Sequence, residues 1–429
     1  MAGYIEDRWY KKGPDGKRSI PTDLHGKGKR YKVTGIPGVR SRSFPDRQKK
    51  AAEAWLAQAL AETAKGEFYD PRDGRMSLSE YVEQHWWPAR TGDPATLRTV
   101  KGRVWNHILP HLGALPLNGI KTAQLRLWLK ELDQAIGPST IGEVWGELSS
   151  ILQAAVDDER IPKNYCRSQR SVRPPAVPER KARAWSKERV LAVRQAMPDR
   201  FQLMVDLGVG AGLRQGEVLG LAVEDIDEEA QVLHVRRQVK KIGAKQVFAL
   251  PKGQKTRTVP VPPYLLDAVR EHLERFPAKK VTLPWGDPAP PATEREAKER
   301  APRTFELITT SATGLAVRRD SWDNRVWKPA LSAAGLIPPP ETRKQPIRHR
   351  PGVSRTVVKY AEARELGFHA LRHTFASVQL DAREPIVSVS RWLGHADPSI
   401  TLRIYAHMMP EADGRGRAAM ESWFARPVS

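Results

Sequence analysis

Residues 393–407 read LGHADPSITLRIYAH, and just upstream residues 366–380 read LGFHALRHTFASVQL. In the first stretch Asp397-Pro398 has the form of an N-cap followed by proline at the first helical position. Ile400, Ile404 and Met408 then recur every four residues, the spacing of one buried helical face. Tyr405 lies beside that stripe, and taken alone it reads as a half-buried aromatic at a helix edge. In the second stretch His369 and Arg372 stand three apart on a helix and therefore share a face. Imidazole beside guanidinium is an odd pair for a core, since one is always charged and the other often neutral. His369 and His373, four apart, could in principle grip a metal. The segment lacks the intervening glutamate of a zinc protease motif and a nearby acidic third ligand, so no metal site is expected.

The chain around these stretches is long and basic. Its 429 residues exceed one comfortable core, so two or three domains are expected. With 71 Lys and Arg against 49 Asp and Glu the formal charge is +22, and the pI is near 10.1. Such a balance suits a polyanionic partner, because counterions released from DNA or RNA drive the binding of basic proteins. Hydrophobic residues make up 40% and charged residues 28%, which marks a globular chain. No apolar run approaches the roughly 18 residues of a membrane helix, and the opening MAGYIEDRWYKK has no signal-peptide core. The one cysteine, Cys166, excludes an intrachain disulfide. A soluble intracellular protein is expected.

Residues 1–50 hold 14 Lys and Arg against 5 acids, with short β-rich stretches such as RYKVTGI. An amphipathic helix is expected over 46–65, with Ala51, Trp55, Leu56 and Leu60 on one side. Residues 1–68 thus read as a small basic sheet-plus-helix module. From 76 to 164 the periodicity is helical, in four segments with Pro88, Pro94, Pro110, Pro116 and Pro138 near the joints. Trp105, Trp128 and Trp145 are expected in the core of that bundle. The stretch 160–183 carries eight Lys and Arg, one acid and four prolines, so 165–183 reads as a basic linker, and two lobes on such a tether suggest a clamp around a duplex. The remainder, 184–429, alternates helices with the strand-like runs QVLHVRRQV, KQVFALPK and TRTVPVP. The polar, proline-rich stretches near 284–304 and 337–352 read as surface insertions. The fold class expected is α+β, mainly α with small antiparallel sheets, in several domains.

Two further motifs lie in this last piece. In GAGLRQGEVLGL, 210–221, Arg214 stands at a helix start where a guanidinium suits a phosphate, and Glu217 three residues on could hold it. In FALPKGQKTRTVPVP, 248–262, Lys252 precedes Gly253 in a tight turn, where its amine could enter a groove and protonate a leaving oxygen.

Taken in order, AGLRQGEVLGL, PKGQKTR, FHALRHTFAS and LGHADPSITLRIYAH resemble the boxes of the tyrosine recombinase family, in particular phage-type integrases. The likeness spans residues 184–410. Matched position by position, the family's catalytic set falls on Arg214, Lys252, His369, Arg372, His395 and Tyr405. The resemblance implies that Tyr405 is the nucleophile on a DNA phosphodiester, giving a 3′-phosphotyrosine and a free 5′-hydroxyl. It implies that Arg214, Arg372 and His395 hold the phosphate, that Lys252 protonates the leaving oxygen, and that His369 assists proton transfer near Tyr405. Neither metal nor cofactor is implied, because arginines supply the positive charge.

The same resemblance casts 76–164 as a core-site-binding domain and 1–68 as an arm-site-binding domain. It implies double-stranded DNA carrying core-type and arm-type attachment sites as substrate, a homotetramer acting on it, and a DNA-bending host factor and a directionality factor as partners. It places the protein in the bacterial cytoplasm with the nucleoid. A DNA-binding protein with a dead site, or a type IB topoisomerase, are the alternatives. The spacing between Gly335 and Gly367 is longer than the family's usual one. The tail after Tyr405 offers Met420, Trp423 and Phe424 for docking in cis or in trans.

Overall fold

The computed structural model describes residues 3–14, 16, 18–65, 68–70, 72–168, 171–177, 183–347, 350–408 and 414–424. Parts of the basic segment 165–183, namely 169–170 and 178–182, lie outside the described residues. The chain forms two compact units, Met1–Pro178 and Glu179–Ser429. Among the described residues no helix is long and apolar enough to cross a membrane.

The first unit contains two separate apolar clusters. In the smaller, strand Tyr31–Thr34 pairs antiparallel with Tyr4–Asp7 on one side and Arg42–Phe44 on the other. Alternation buries Tyr31 and Val33 beneath the helix Lys49–Ala64. That helix buries Ala52 and Ala59, with Trp55, Leu56 and Leu60 at the margin. The inward alanine is therefore Ala52, and Ala51 faces solvent.

The larger cluster is a helical bundle built from Leu78–Tyr81, Pro94–Arg103, Thr122–Ala135 and Pro138–Asp157. Trp128 and Trp145 stack inside it, and Trp105 packs at its edge. The first two helices each run on into a widened π turn, Val82–Trp86 and Val104–Ile108. Each of these turns ends two residues before a proline, Pro88 or Pro110, and a third, Asp323–Trp327, stands in the same relation to Pro329. A proline ring clashes with the carbonyl four residues back, and the wider turn relieves that clash. Pro110 therefore lies inside a continuing helix, Leu109–Leu112, and does not mark a joint.

The second unit has one large core running from Trp185 to Tyr405. Its helices Lys187–Gln195, Asp199–Gly210 and Gln215–Val218 lead into small antiparallel sheets. The run QVLHVRRQV does not form one strand. Val232–Val235 lies between Ile226–Asp227 and Arg257–Pro260, whereas Gln238–Ile242 pairs with Lys245–Ala249 in a separate hairpin. The break falls at buried Arg237, which pairs with Asp225 at 2.6 Å and lies over the Phe305 ring at 3.8 Å. A charged side chain anchored inward there bends the chain from one sheet to the next. The stretch near 337–352 is also more regular than an irregular insertion, since Glu341–Ile347 and Arg350–Lys359 form a long ribbon. Helices His369–Asp381, Ile386–Leu393 and Pro398–Tyr405 then close the core. The whole is mainly helical with small antiparallel sheets, as the sequence leads one to expect.

Candidate active site

The helix Asp199–Gly210 ends in a turn whose Gly212 has φ +63°. A Cβ there would stand 2.5 Å from the Phe375 ring, so the turn requires glycine. The turn aims the Gly212 carbonyl at Arg372, whose Nη1 donates to it at 2.7 Å. Arg372 is 1% exposed, and its Nη2 donates to the Leu393 carbonyl. Its Nε is buried without a hydrogen-bond partner. Burial, with Arg214 nearby, pulls this guanidinium down to about 9, which still leaves it cationic at neutral pH. A fixed cation with an unused N–H is a seat for an anion.

Arg214 caps the short helix Gln215–Val218. Its own backbone N–H donates to Glu217 Oε2 at 2.9 Å and its Nη1 to Oε1 at 2.8 Å. Glu217 therefore occupies the helix start, and the guanidinium, not the helix terminus, is what remains for a phosphate. The same carboxylate, fully buried, accepts Nη1 and Nη2 of Arg257 at 2.9 and 2.6 Å. Burial alone would raise its pKa. The hydrogen bonds and charge of Arg257, then Arg214 and Arg372, bring it down to about 2. Arg257 Nε reaches across to the Trp392 carbonyl at 2.6 Å. Three arginines thus surround one carboxylate, and the pocket keeps an excess of positive charge.

Gly394, at φ +62°, ends the helix Ile386–Leu393 in the left-handed conformation and delivers His395. His395 Nδ1 meets the hydroxyl of fully buried Thr401 at 2.7 Å, which fixes the ring. Burial and then the charge of Arg372 lower this imidazole to about 4. Helix Pro398–Tyr405 buries Thr401 and Tyr405, while Ile400 and Ile404 are only half-buried. The inward face is therefore the one bearing Tyr405, displaced from the Ile400–Ile404–Met408 stripe.

Tyr405 is 1% exposed, and its hydroxyl meets His373 Nδ1 at 2.7 Å. Burial pushes the phenol up to about 12, against the pull of Arg372 and Arg214. The cations favour the phenolate, but desolvation outweighs them. His369 is exposed on its outer side, but desolvation of its inner side, then the charges of His373 and Arg372, hold its imidazole below the ordinary value, and its ring stands edge-on to His373 at 4.7 Å. Five of the six expected residues, Arg214, His369, Arg372, His395 and Tyr405, gather in one cluster with Glu217. Lys252 instead lies on an exposed turn before Gly253 and Gln254, both at positive φ. The strands flanking that turn pair with other strands and not with each other.

A family model described as the phage integrase family matches residues 332–411, which hold His369, Arg372, His395 and Tyr405. A tyrosine recombinase XerC-like protein of Caldanaerobacter subterraneus is 28% identical over 391 residues, covering 86% of this chain and 88% of the relative. A putative prophage phiRv2 integrase of Mycobacterium tuberculosis is 29% identical over 231 residues, 52% of this chain and 60% of the relative. The chain belongs to the tyrosine recombinase family. In fold, this recombinase is similar to the Tn1549 transposon integrase solved with transposon right end DNA, at TM-score 0.58 and 18% identity, covering 82% of this chain and 100% of that one. It is also similar to lambda integrase solved as a tetramer on a Holliday junction, at TM-score 0.51 and 15% identity, covering 96% and 97%.

Sequence reasoning missed three members of this recombinase's cluster. Arg257 sits at the end of the PKGQKTR box and shares Glu217 with Arg214. His373 reads from the sequence only as half of a metal pair. Thr401 stands one helical turn before Tyr405, and that spacing is the signal that could have found it. Among the described residues no group of three or more His, Cys, Asp or Glu side chains could hold a metal ion.

Proposed function

We propose that this recombinase is a site-specific integrase that cuts and rejoins double-stranded DNA through Tyr405, integrating and excising a mobile element. The single observation that carries the reading is the gathering of Tyr405, buried and hydrogen-bonded to His373, in one cluster with Arg214, Arg372 and His395. The Tyr405 oxygen attacks a phosphodiester, the bond from phosphorus to the 5′-oxygen breaks, and a 3′-phosphotyrosine remains. Arg214, Arg372 and His395 hold the non-bridging oxygens, where charge develops in the transition state. Lys252 gives the departing 5′-oxygen its proton, and its exposed turn must then close over the DNA. Glu217 and Arg257 hold the two halves of the pocket together. Because the covalent link keeps the energy of the phosphodiester, rejoining needs no nucleotide cofactor.

In this reading the bundle 76–164 grips core-type sites, the basic module 1–68 grips arm-type sites, and the segment 165–183 runs along phosphates. The protein works as a tetramer with the nucleoid, helped by a DNA-bending host factor and a directionality factor. The helix Arg415–Phe424 leaves Trp423 81% and Phe424 73% exposed, which favours docking in trans on a neighbouring protomer. Trp423→Ala with Phe424→Ala should then leave single-site binding intact and weaken assembly on paired sites, read by analytical ultracentrifugation.

The deciding experiment is a suicide-substrate assay. A nicked duplex spanning the junction between the element and the chromosome is incubated with wild type or Tyr405→Phe in EDTA. An SDS-resistant protein–DNA adduct that disappears in Tyr405→Phe supports the reading. Tight binding without an adduct would leave a DNA-binding protein on the same scaffold, and relaxation of supercoils without strand exchange would point to a topoisomerase.

A further inference from the structure

The hydrogen-bond partner of the Tyr405 hydroxyl is a histidine that matches none of the six catalytic positions. His373 follows Arg372 in the helix His369–Asp381 and meets the Tyr405 hydroxyl through Nδ1. We propose that His373 is a catalytic residue of this recombinase, the acceptor that aims the Tyr405 phenol and takes its proton as the phenol attacks. This rests on the reading of Tyr405 as nucleophile and assigns to His373 the proton transfer that the family resemblance gives to His369.

Three observations converge on it. First, the protonation states suit a donor hydroxyl. Tyr405 is buried and His373 half-buried, and burial together with Arg372 keeps the imidazole neutral at pH 7 while the phenol keeps its proton. In the proposed arrangement the hydroxyl donates and Nδ1 accepts, with the ring proton on Nε2. Second, the contact is built in register. Ser377, one turn on from His373, donates to the His373 carbonyl at 2.9 Å and lies 2.8 Å from the Met408 sulfur. Tyr405 and Met408 are thus tied to successive turns of one helix face, which holds the phenol oxygen on Nδ1. Third, His369 stands beside His373 and not between it and the phenol. Two imidazoles in contact resist a shared charge, so His369 stays neutral when His373 takes a proton.

The proton moves with the bond, not before it. Burial holds the phenol above its ordinary value and the imidazole below its own, so ionisation ahead of attack is strongly uphill. A bound phosphate offsets the Arg372 charge that depresses the imidazole, and the phenol grows acidic as its oxygen bonds to phosphorus. The step balances. The bond from the Tyr405 oxygen to phosphorus forms, the bond from phosphorus to the 5′-oxygen breaks, the phenolic proton passes to His373 Nδ1, and the 5′-oxygen takes a proton from Lys252. Rejoining runs the same transfers backwards.

The test uses the full chain on the nicked duplex, in single-turnover cleavage. Asparagine places an acceptor oxygen close to where Nδ1 sits but cannot hold the proton. His373→Asn should bind DNA within about threefold of wild type and cut about 10²- to 10⁴-fold more slowly, the usual range for losing a general base. Difluorotyrosine at position 405, a more acidic phenol, should restore part of that loss in His373→Asn. Cleavage by His373→Asn within threefold of wild type would overturn the proposal. So would a larger loss, rescued by the fluorinated phenol, in His369→Asn. Should His373→Asn fail to fold, the wild-type chain labelled with ¹⁵N-histidine gives a second reading. Its His373 should show the Nε2–H tautomer, and Tyr405→Phe should change the Nδ1 resonance; the Nδ1–H tautomer overturns the proposal. If wild type forms no adduct at all, the nucleophile reading itself has failed, a result distinct from slow cleavage by His373→Asn alone.

Discussion

The buried carboxylate of Glu217 carries the most quantitative consequence of the site. Its pKa falls from 4.5 to about 2 in the fold, under the influence first of Arg257 and then of Arg214 and Arg372. At about 1.4 kcal/mol per pH unit, that depression stabilises the fold by roughly 3 kcal/mol at neutral pH. No discount for solvent is needed, because the side chain is wholly buried. A folded value below the unfolded one means that the stabilisation is complete above about pH 4.5 and drains away as pH falls toward 2. Glu217→Gln keeps the shape and removes the charge. At pH 7 it should cost about 3 kcal/mol or somewhat more, since Arg257 is left buried without its counter-charge. By pH 3 the gap between wild type and variant should shrink to roughly half that. Urea unfolding measures the gap, and hydrogen exchange in peptides covering 203–219 and 369–380 localises it to the catalytic unit. A gap that stays constant from pH 7 to pH 3, or one below about 0.5 kcal/mol, refutes the argument that Glu217 works as a paired charge.

Gly212→Ala puts a methyl group 2.5 Å from the Phe375 ring at a left-handed φ. It should lower stability by about 2–4 kcal/mol and free Arg372 from the Gly212 carbonyl, seen as a lower melting temperature and slower cleavage. Thr401→Val deletes the hydroxyl that fixes His395 without changing volume. The melting temperature should fall by an amount matching about 1–3 kcal/mol, and cleavage at saturating DNA should drop further than binding does. Binding to a full attachment site should weaken steeply with salt, by roughly 10³-fold or more between 50 and 200 mM, if six or more phosphates are neutralised. A shallow salt slope in a fluorescence-anisotropy titration would mean that the +22 charge serves something other than DNA.

What the sequence could reveal of this site follows from how far each interaction reaches along the chain. Arg214 and Glu217 are three apart on one helix, and their ion pair was legible for that reason. The second claim on Glu217 comes from Arg257, forty residues away, and depends on which strand pairs with which. Periodicity foretold strands there but not that the run 231–239 would split between two sheets. Tyr405 was misplaced by one helical position because the side chains that bury it, on the helix His369–Asp381, lie outside its own periodic pattern. Its partner His373 was in plain view, yet a histidine four residues from another suggests a metal before it suggests a phenol. The π turns ahead of Pro88, Pro110 and Pro329 were likewise hidden, because a proline signals a break and a widened turn is the rarer remedy.

The pocket is stitched from two stretches, 212–257 and 369–405, by Arg372 on the Gly212 carbonyl and Arg257 on the Trp392 carbonyl. Between those stretches the chain makes the exposed ribbon Glu341–Ile347 and Arg350–Lys359. A chain opened in that ribbon would therefore yield two fragments, one with Arg214 and Glu217 and the other with Arg372 and Tyr405. Neither fragment alone carries both arginines of the pocket together with Tyr405, so strand cutting would report their complementation, and joining each to one half of a separate dimerising tag would place recombination under the control of that tag.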